Sequence, residues 1–219
     1  MKNSIQLEFG DVRVKSIETP NHFVSHMLEH IAWRLGVTIA LKWQDCNWRE
    51  LGVRLGTSIG EFPAQCEDSA AIGMIDDGSA SVTVQLQKDP ASKPIVESVT
   101  WSARGEVDLE WFFSLRCEQI ENGQPLIALF EGIISGLGGK CSVVIWNLED
   151  PHHTWEGIFR GLGIALSRIF TPLPANSIAV TGDSAKPHAR SGDLAVLCAS
   201  VHEASVQRKT AETAITGTV

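Results

Sequence analysis

The chain repeats itself, and the repeat limits its fold more than any other feature. Residues 21–62 read NHFVSHMLEHIAWRLGVTIALKWQDCNWRELGVRLGTSIGEF, and residues 122–170 read NGQPLIALFEGIISGLGGKCSVVIWNLEDPHHTWEGIFRGLGIALSRIF. Each segment gives an apolar helix, a glycine stop, a β-branched strand, a short turn and a second amphipathic helix. Phe23, Met27, Leu28, Ile31 and Leu35 recur at helical spacing before Gly36, and Leu126, Leu129, Phe130, Ile133, Ile134 and Leu137 do so before Gly138 and Gly139. The strands VTIALKW and SVVIW follow, and the last helices align without a gap, DCNWRELGVRLG over HHTWEGIFRGLG. Two such units predict an α+β fold of duplicated β-sheet/helix halves with internal pseudo-symmetry. Between them SASVTVQLQ and IVESVTW read as strands, and GEVDLEWFFSL as another. A helix has one apolar stripe, so each sheet is expected to carry its helices on one face.

The alignment also locates candidate chemistry. His152, His153 and Glu156 of the second unit fall over Asp45, Cys46 and Arg49 of the first. His152 and Glu156 share one helical face at i and i+4, and imidazole with carboxylate suits a divalent transition metal. The same residues also suit a helix start, where a glutamate complements the dipole. On the first helix, HMLEH places His26 and His30 as a ligand pair around Glu29, a candidate base, in a literal match to the inverted zinc-peptidase signature. The alternative is a helix with Met27, Leu28 and Ile31 buried and its polar residues in water. Ser184 and Lys186, in the turn-rich TGDSAKPHAR, could hold a phosphate.

A formal net charge of -8 and a pI near 5.3 argue against non-specific nucleic-acid binding, since there is no basic surplus to neutralise phosphates. No uncharged apolar run reaches the roughly 18–20 residues that span a bilayer. Cys46, Cys66, Cys117, Cys141 and Cys198 form no C-x-x-C pair and fit reduced thiols in a cytoplasm, mostly as small core residues, with Cys46 a possible exception.

Three stretches together resemble the imidazoleglycerol-phosphate dehydratase family. HFVSHMLEHIA resembles the family's F-x-D-H-M-L-[DE]-Q-I-A helix, DPHHTWEGIFRGLGIAL its D-H-H-x-x-E-x-x-F-K-A-x-x-x-A-L motif, and RKTAETAI its R-K-T-x-E-T-x-I strand. GMIDDGSASVTVQL and DSAK resemble the M-D-E-A and P-S-T-K segments. The resemblance implies the dehydratase fold, ribosomal protein S5 domain 2-like, over residues 1–182 with halves at about 1–95 and 96–182. Residues 183–219 would hold the phosphate loop and a displaced strand, or the start of a further domain. It implies manganese, a large symmetric homo-oligomer and a small phosphorylated imidazole substrate that loses water. By the same resemblance His26, His152, His153 and Glu156 are metal ligands, with Asp45 and Cys46 at the other triplet. Arg160, Ser184, Lys186 and Glu212 face the substrate and its phosphate, and Glu29, Glu156 and Glu212 are catalytic carboxylates. Arg49 replaces the first triplet's glutamate, Ala128 replaces a ligand histidine, and Glu67 falls near the family's R-[FY]-G arginine. These departures predict one bound ion rather than two. They also leave open a non-catalytic paralogue that co-assembles with an intact family member.

Overall fold

The computed structural model describes residues 3–9, 15–87, 98–105 and 108–170, together with three strands between 194 and 218. The chain divides into a unit over Met1–Thr171 and a second over Pro172–Val219.

In the larger unit the first half runs β1 (Ser4–Phe9), β2 (Lys15–Glu18), α1 (His22–Leu35), β3 (Val37–Lys42) and α2 (Trp48–Gly60). The Asn21 side chain accepts the Val24 N–H at 3.1 Å and starts α1. Gly36 ends it at φ 76°, a left-handed conformation that costs glycine little. β3 then alternates, with Val37, Ile39 and Leu41 buried. It lies between β1, antiparallel, and β2, parallel, so β2–α1–β3 is a β-α-β crossover.

The second half runs β4 (Asp68–Ile75), β5 (Gly78–Leu86), β6 (Val99–Ala103), α3 (Leu109–Ser114), α4 (Gln124–Gly136), β7 (Gly139–Leu148) and α5 (Pro151–Phe170). Its sheet has the order β4-β5-β7-β6, with β5 antiparallel and β6 parallel to β7. Thus β5, β6, α4, β7 and α5 repeat β1, β2, α1, β3 and α2 in order and direction. β4 is an addition, paired along β5 through a turn at Asp76 and Asp77.

One expectation is corrected. GEVDLEWFFSL contains the short helix α3 rather than a strand. The Asp108 carboxylate accepts the N–H groups of Glu110 and Trp111, and this cap commits the run to a helix. The helix then buries Phe112, which stacks on Trp155 with ring centroids 4.8 Å apart.

The helices exchange partners between halves: α1 packs on α5, and α2 on α4. The α2–α4 crossing is made by glycines. A Cβ on Gly52 would strike the Leu129 carbonyl, and one on Gly132 the carbonyl of Arg49, so these backbones meet directly. α5 also lies across β4 and β5 and buries Ile158, Leu162, Ala165 and Ile169. Cys117 and Cys141 are buried, and burial pushes both thiols up to about 12, whereas Cys46 and Cys66 are exposed.

The smaller unit contains β8 (Leu194–Ala199), β9 (Ala204–Lys209) and β10 (Ala214–Thr218) in an antiparallel meander. The RKTAETAI stretch covers the end of β9 and the start of β10. Ser184, Lys186 and Glu212 lie outside the described residues.

Candidate metal centre

The α1–α5 contact brings two i, i+4 pairs face to face: His26 and His30 from α1, His152 and Glu156 from α5. The start of α5 is held by Asp150. Its carboxylate accepts the His152 backbone N–H at 2.7 Å, and its carbonyl accepts Thr154 N–H at 3.0 Å. Asp150 therefore shapes the helix end from which His152 projects.

Glu156 is the centre of the cluster. Its Oε1 lies 2.6 Å from His26 Nε2, 3.1 Å from His152 Nε2 and 3.2 Å from His30 Nε2. His26 Nε2 and His30 Nε2 are 3.4 Å apart. The side chains of Glu156 and His30 are 7% and 4% exposed, against 34% and 29% for His26 and His152, so the cluster has a buried floor and an open side. Burial pushes the Glu156 carboxyl up, but the His26 hydrogen bond and the charges of His30 and His152 outweigh it and hold the group below the usual carboxylate range. Burial lowers the His30 imidazole despite the opposing carboxylate of Glu156. The Arg160 cation, one turn beyond Glu156, adds to that lowering.

The outer nitrogens of the two open histidines also face carboxylates. His26 Nδ1 lies 3.4 Å from Glu29 Oε2, and His152 Nδ1 lies 3.0 Å from Glu118 Oε1. This orients each Nε2 toward the centre. The ring edge of Trp33 stands beside His30, with centroids 5.2 Å apart. Donor atoms of His26, His152 and Glu156 all lie within 4.8 Å of one another, so these residues fit a divalent ion by chemistry and spacing.

Other sequence candidates are placed elsewhere. His153 turns toward the β4–β5 turn, where its Nδ1 lies 2.6 Å from Asp77 Oδ1, and this contact raises its pKa. Asp45 and Cys46 are exposed ahead of α2. The Asp45 carboxylate accepts the Asn47 backbone N–H at 2.9 Å and the Asn3 amide at 3.1 Å, which hold it below its usual range. Arg49 pairs with Glu131 of α4 at 3.1 Å. Glu118 and Asp77 carried no ligand signal in the sequence. His30 did, through its i+4 spacing from His26.

No protein-family model matches the chain, and no curated protein matches it by sequence. Solved structures do. An IGPD from Pyrococcus furiosus in complex with (S)-C348 is 23% identical with a TM-score of 0.56, over 77% of this chain and 89% of that one. The imidazoleglycerol-phosphate dehydratase of Staphylococcus aureus subsp. aureus N315 is 16% identical with a TM-score of 0.60, over 78% of this chain and 94% of that one. At these identities it is the fold that is shared: the chain is built as the imidazoleglycerol-phosphate dehydratase structures are.

Proposed function

We infer that the chain is a dehydratase-like protein of histidine biosynthesis. It binds one divalent ion, manganese by the family resemblance, and acts on imidazole glycerol phosphate by eliminating water. The convergence of His26, His152 and Glu156 from two helices carries this reading. A bound ion would serve as Lewis acid and template for the substrate imidazole. Glu156, held ionised among three imidazoles, keeps a negative charge at the buried floor. Glu29, beside His26 Nδ1, is placed to hold a proton at the open side. Ser184, Lys186, Arg160 and Glu212 are assigned to the substrate and its phosphate, and the protein to a cytoplasmic homo-oligomer.

The Arg49–Glu131 pair favours a second reading. It puts a cation where the other half of a two-ion site would stand, as in a non-catalytic paralogue that assembles with an active dehydratase. Metal analysis and a turnover assay on protein produced with manganese separate the two. One ion per chain with dehydration of imidazole glycerol phosphate supports the enzyme. One ion without turnover, together with co-purification of an intact dehydratase, supports the paralogue. Metal content unchanged in His152→Ala would remove the basis of the first reading.

A further inference from the structure

The cluster contains one more imidazole than the ligand set just used. His30 is buried, and its Nε2 points at Glu156 Oε1 and His26 Nε2 rather than at solvent. Residues one helical turn apart project from the same face. The pairs His26/His30 and His152/Glu156 are therefore two short chelating arms, facing each other across packed helices. In tetrahedral zinc sites, with bonds of about 2.0–2.1 Å, neighbouring donors stand roughly 3.3 Å apart. The separations of 3.1, 3.2 and 3.4 Å lie close to that spacing, and the Glu156–His26 contact, at 2.6 Å, is the one of these four well below it.

The proton inventory points the same way. His26 and His152 each have a carboxylate at both ring nitrogens, Glu29 and Glu156 for one, Glu118 and Glu156 for the other. A neutral imidazole has one N–H and can satisfy only one of these acceptors. A cation at the centre would take the Nε2 lone pairs and the Glu156 oxygen together. The Nδ1–H groups would remain for Glu29 and Glu118, the carboxylate–histidine–metal arrangement of bound sites.

We propose that His30 is the fourth donor of a mononuclear site that one chain completes alone, with three imidazole nitrogens and one carboxylate oxygen, selective for zinc-like ions over manganese. This rests on the reading that His26, His152 and Glu156 hold an ion, adds the fourth ligand, and replaces the manganese of the family resemblance with zinc-like ions. Nitrogen-rich sites suit zinc and cobalt, whereas manganese stands lowest in the general affinity order of these ions.

The test uses the full chain, stripped with a chelator and titrated with zinc, manganese and cobalt(II). One zinc per chain is expected, bound more tightly than manganese, and cobalt should give the intense visible bands of tetrahedral coordination. His30→Gln keeps a neutral hydrogen-bond donor for Glu156 but offers a poor ligand. It should weaken zinc by about 100-fold or more, beyond the 10–100-fold cost of losing an outer partner, and collapse the cobalt bands. His153→Ala should leave both unchanged. X-ray absorption at the zinc edge of the unmutated chain should count three imidazoles and needs no variant to fold. Two imidazoles, or a His30→Gln chain with unaltered zinc affinity and spectrum, would overturn the fourth donor and leave the three-residue reading standing. Manganese bound more tightly than zinc would overturn the selectivity, and a chain binding neither ion would overturn both readings.

Discussion

The α1–α5 and α2–α4 crossings are built from the same repeated helices, yet they hold opposite chemistry. At α1–α5, Glu156 sits among three imidazoles. At α2–α4, Arg49 occupies the position of Glu156 and pairs with Glu131, which occupies that of Glu29. His26 and His30 are matched by Ala128 and Gly132. The reason lies in backbone separation. The glycines Gly52 and Gly132 bring the Arg49 carbonyl against α4 and leave no space for a ring, where α5 and α1 carry Phe159 and His30; further along, Gly163 approaches the Ile31 backbone much as Gly56 approaches that of Ile133. Small residues and close approach therefore go together at Gly52 and Gly132, and ring side chains with a polar cluster at the matching turn of α1–α5.

Five changes probe this contrast. Glu156→Ala should be the most damaging, about 3–5 kcal/mol in urea unfolding, because it leaves the buried His30 N–H without its acceptor. A loss below about 1 kcal/mol would mean the imidazoles do not depend on the carboxylate. Gly132→Val forces a side chain into the glycine crossing and should cost about 1–3 kcal/mol. His30→Val, the matched change at the open crossing, separates the two if its melting temperature falls less.

Acid should act on the first crossing. His30 is lowered from 6.5 by burial, so its contribution is complete above that value and fades as pH falls through 6.5 toward the native pKa. Glu156 is lowered from 4.5, so its contribution goes next, as pH falls below that value. His153 runs the other way: raised by Asp77, it stabilises below 6.5 and loses its contribution as pH rises through its native pKa. Metal-free unfolding curves in Glu156→Gln should keep the His30 part of the acid slope and lose the steeper part below 4.5. An unchanged slope would assign the acid loss elsewhere. Arg49→Ala should have the smallest effect, under about 1 kcal/mol, since the pair is solvent-exposed. A larger loss would show that the cation supports the glycine crossing.

The repeat, both helix–strand–helix units and the α+β class were legible because period and glycine stops are local signals. α3 was misread because a run of Trp111, Phe112 and Phe113 looks strand-like unless the Asp108 cap is weighed. His26, His152 and Glu156 could be named from their spacing, but the sequence does not say which helices meet. That is why the sequence groups His153 with them although it faces Asp77, and why the contact of His30 with Glu156 across the helices does not show in the spacing of HMLEH. Glu118 and Asp77 approach from turns, where no periodicity marks a side chain's direction.

The exchange of helices between the halves has a further consequence. Each half lends its first helix to the second helix of the other, so neither repeat can be excised as a module. A chain cut between α2 and β4 should yield fragments that are sticky apart and fold on mixing, like the parts of a split reporter. For a duplicated gene the same weave separates the fates of its copies. Each crossing draws one helix from each repeat, so one crossing can turn to packing alone while the other keeps a polar cluster.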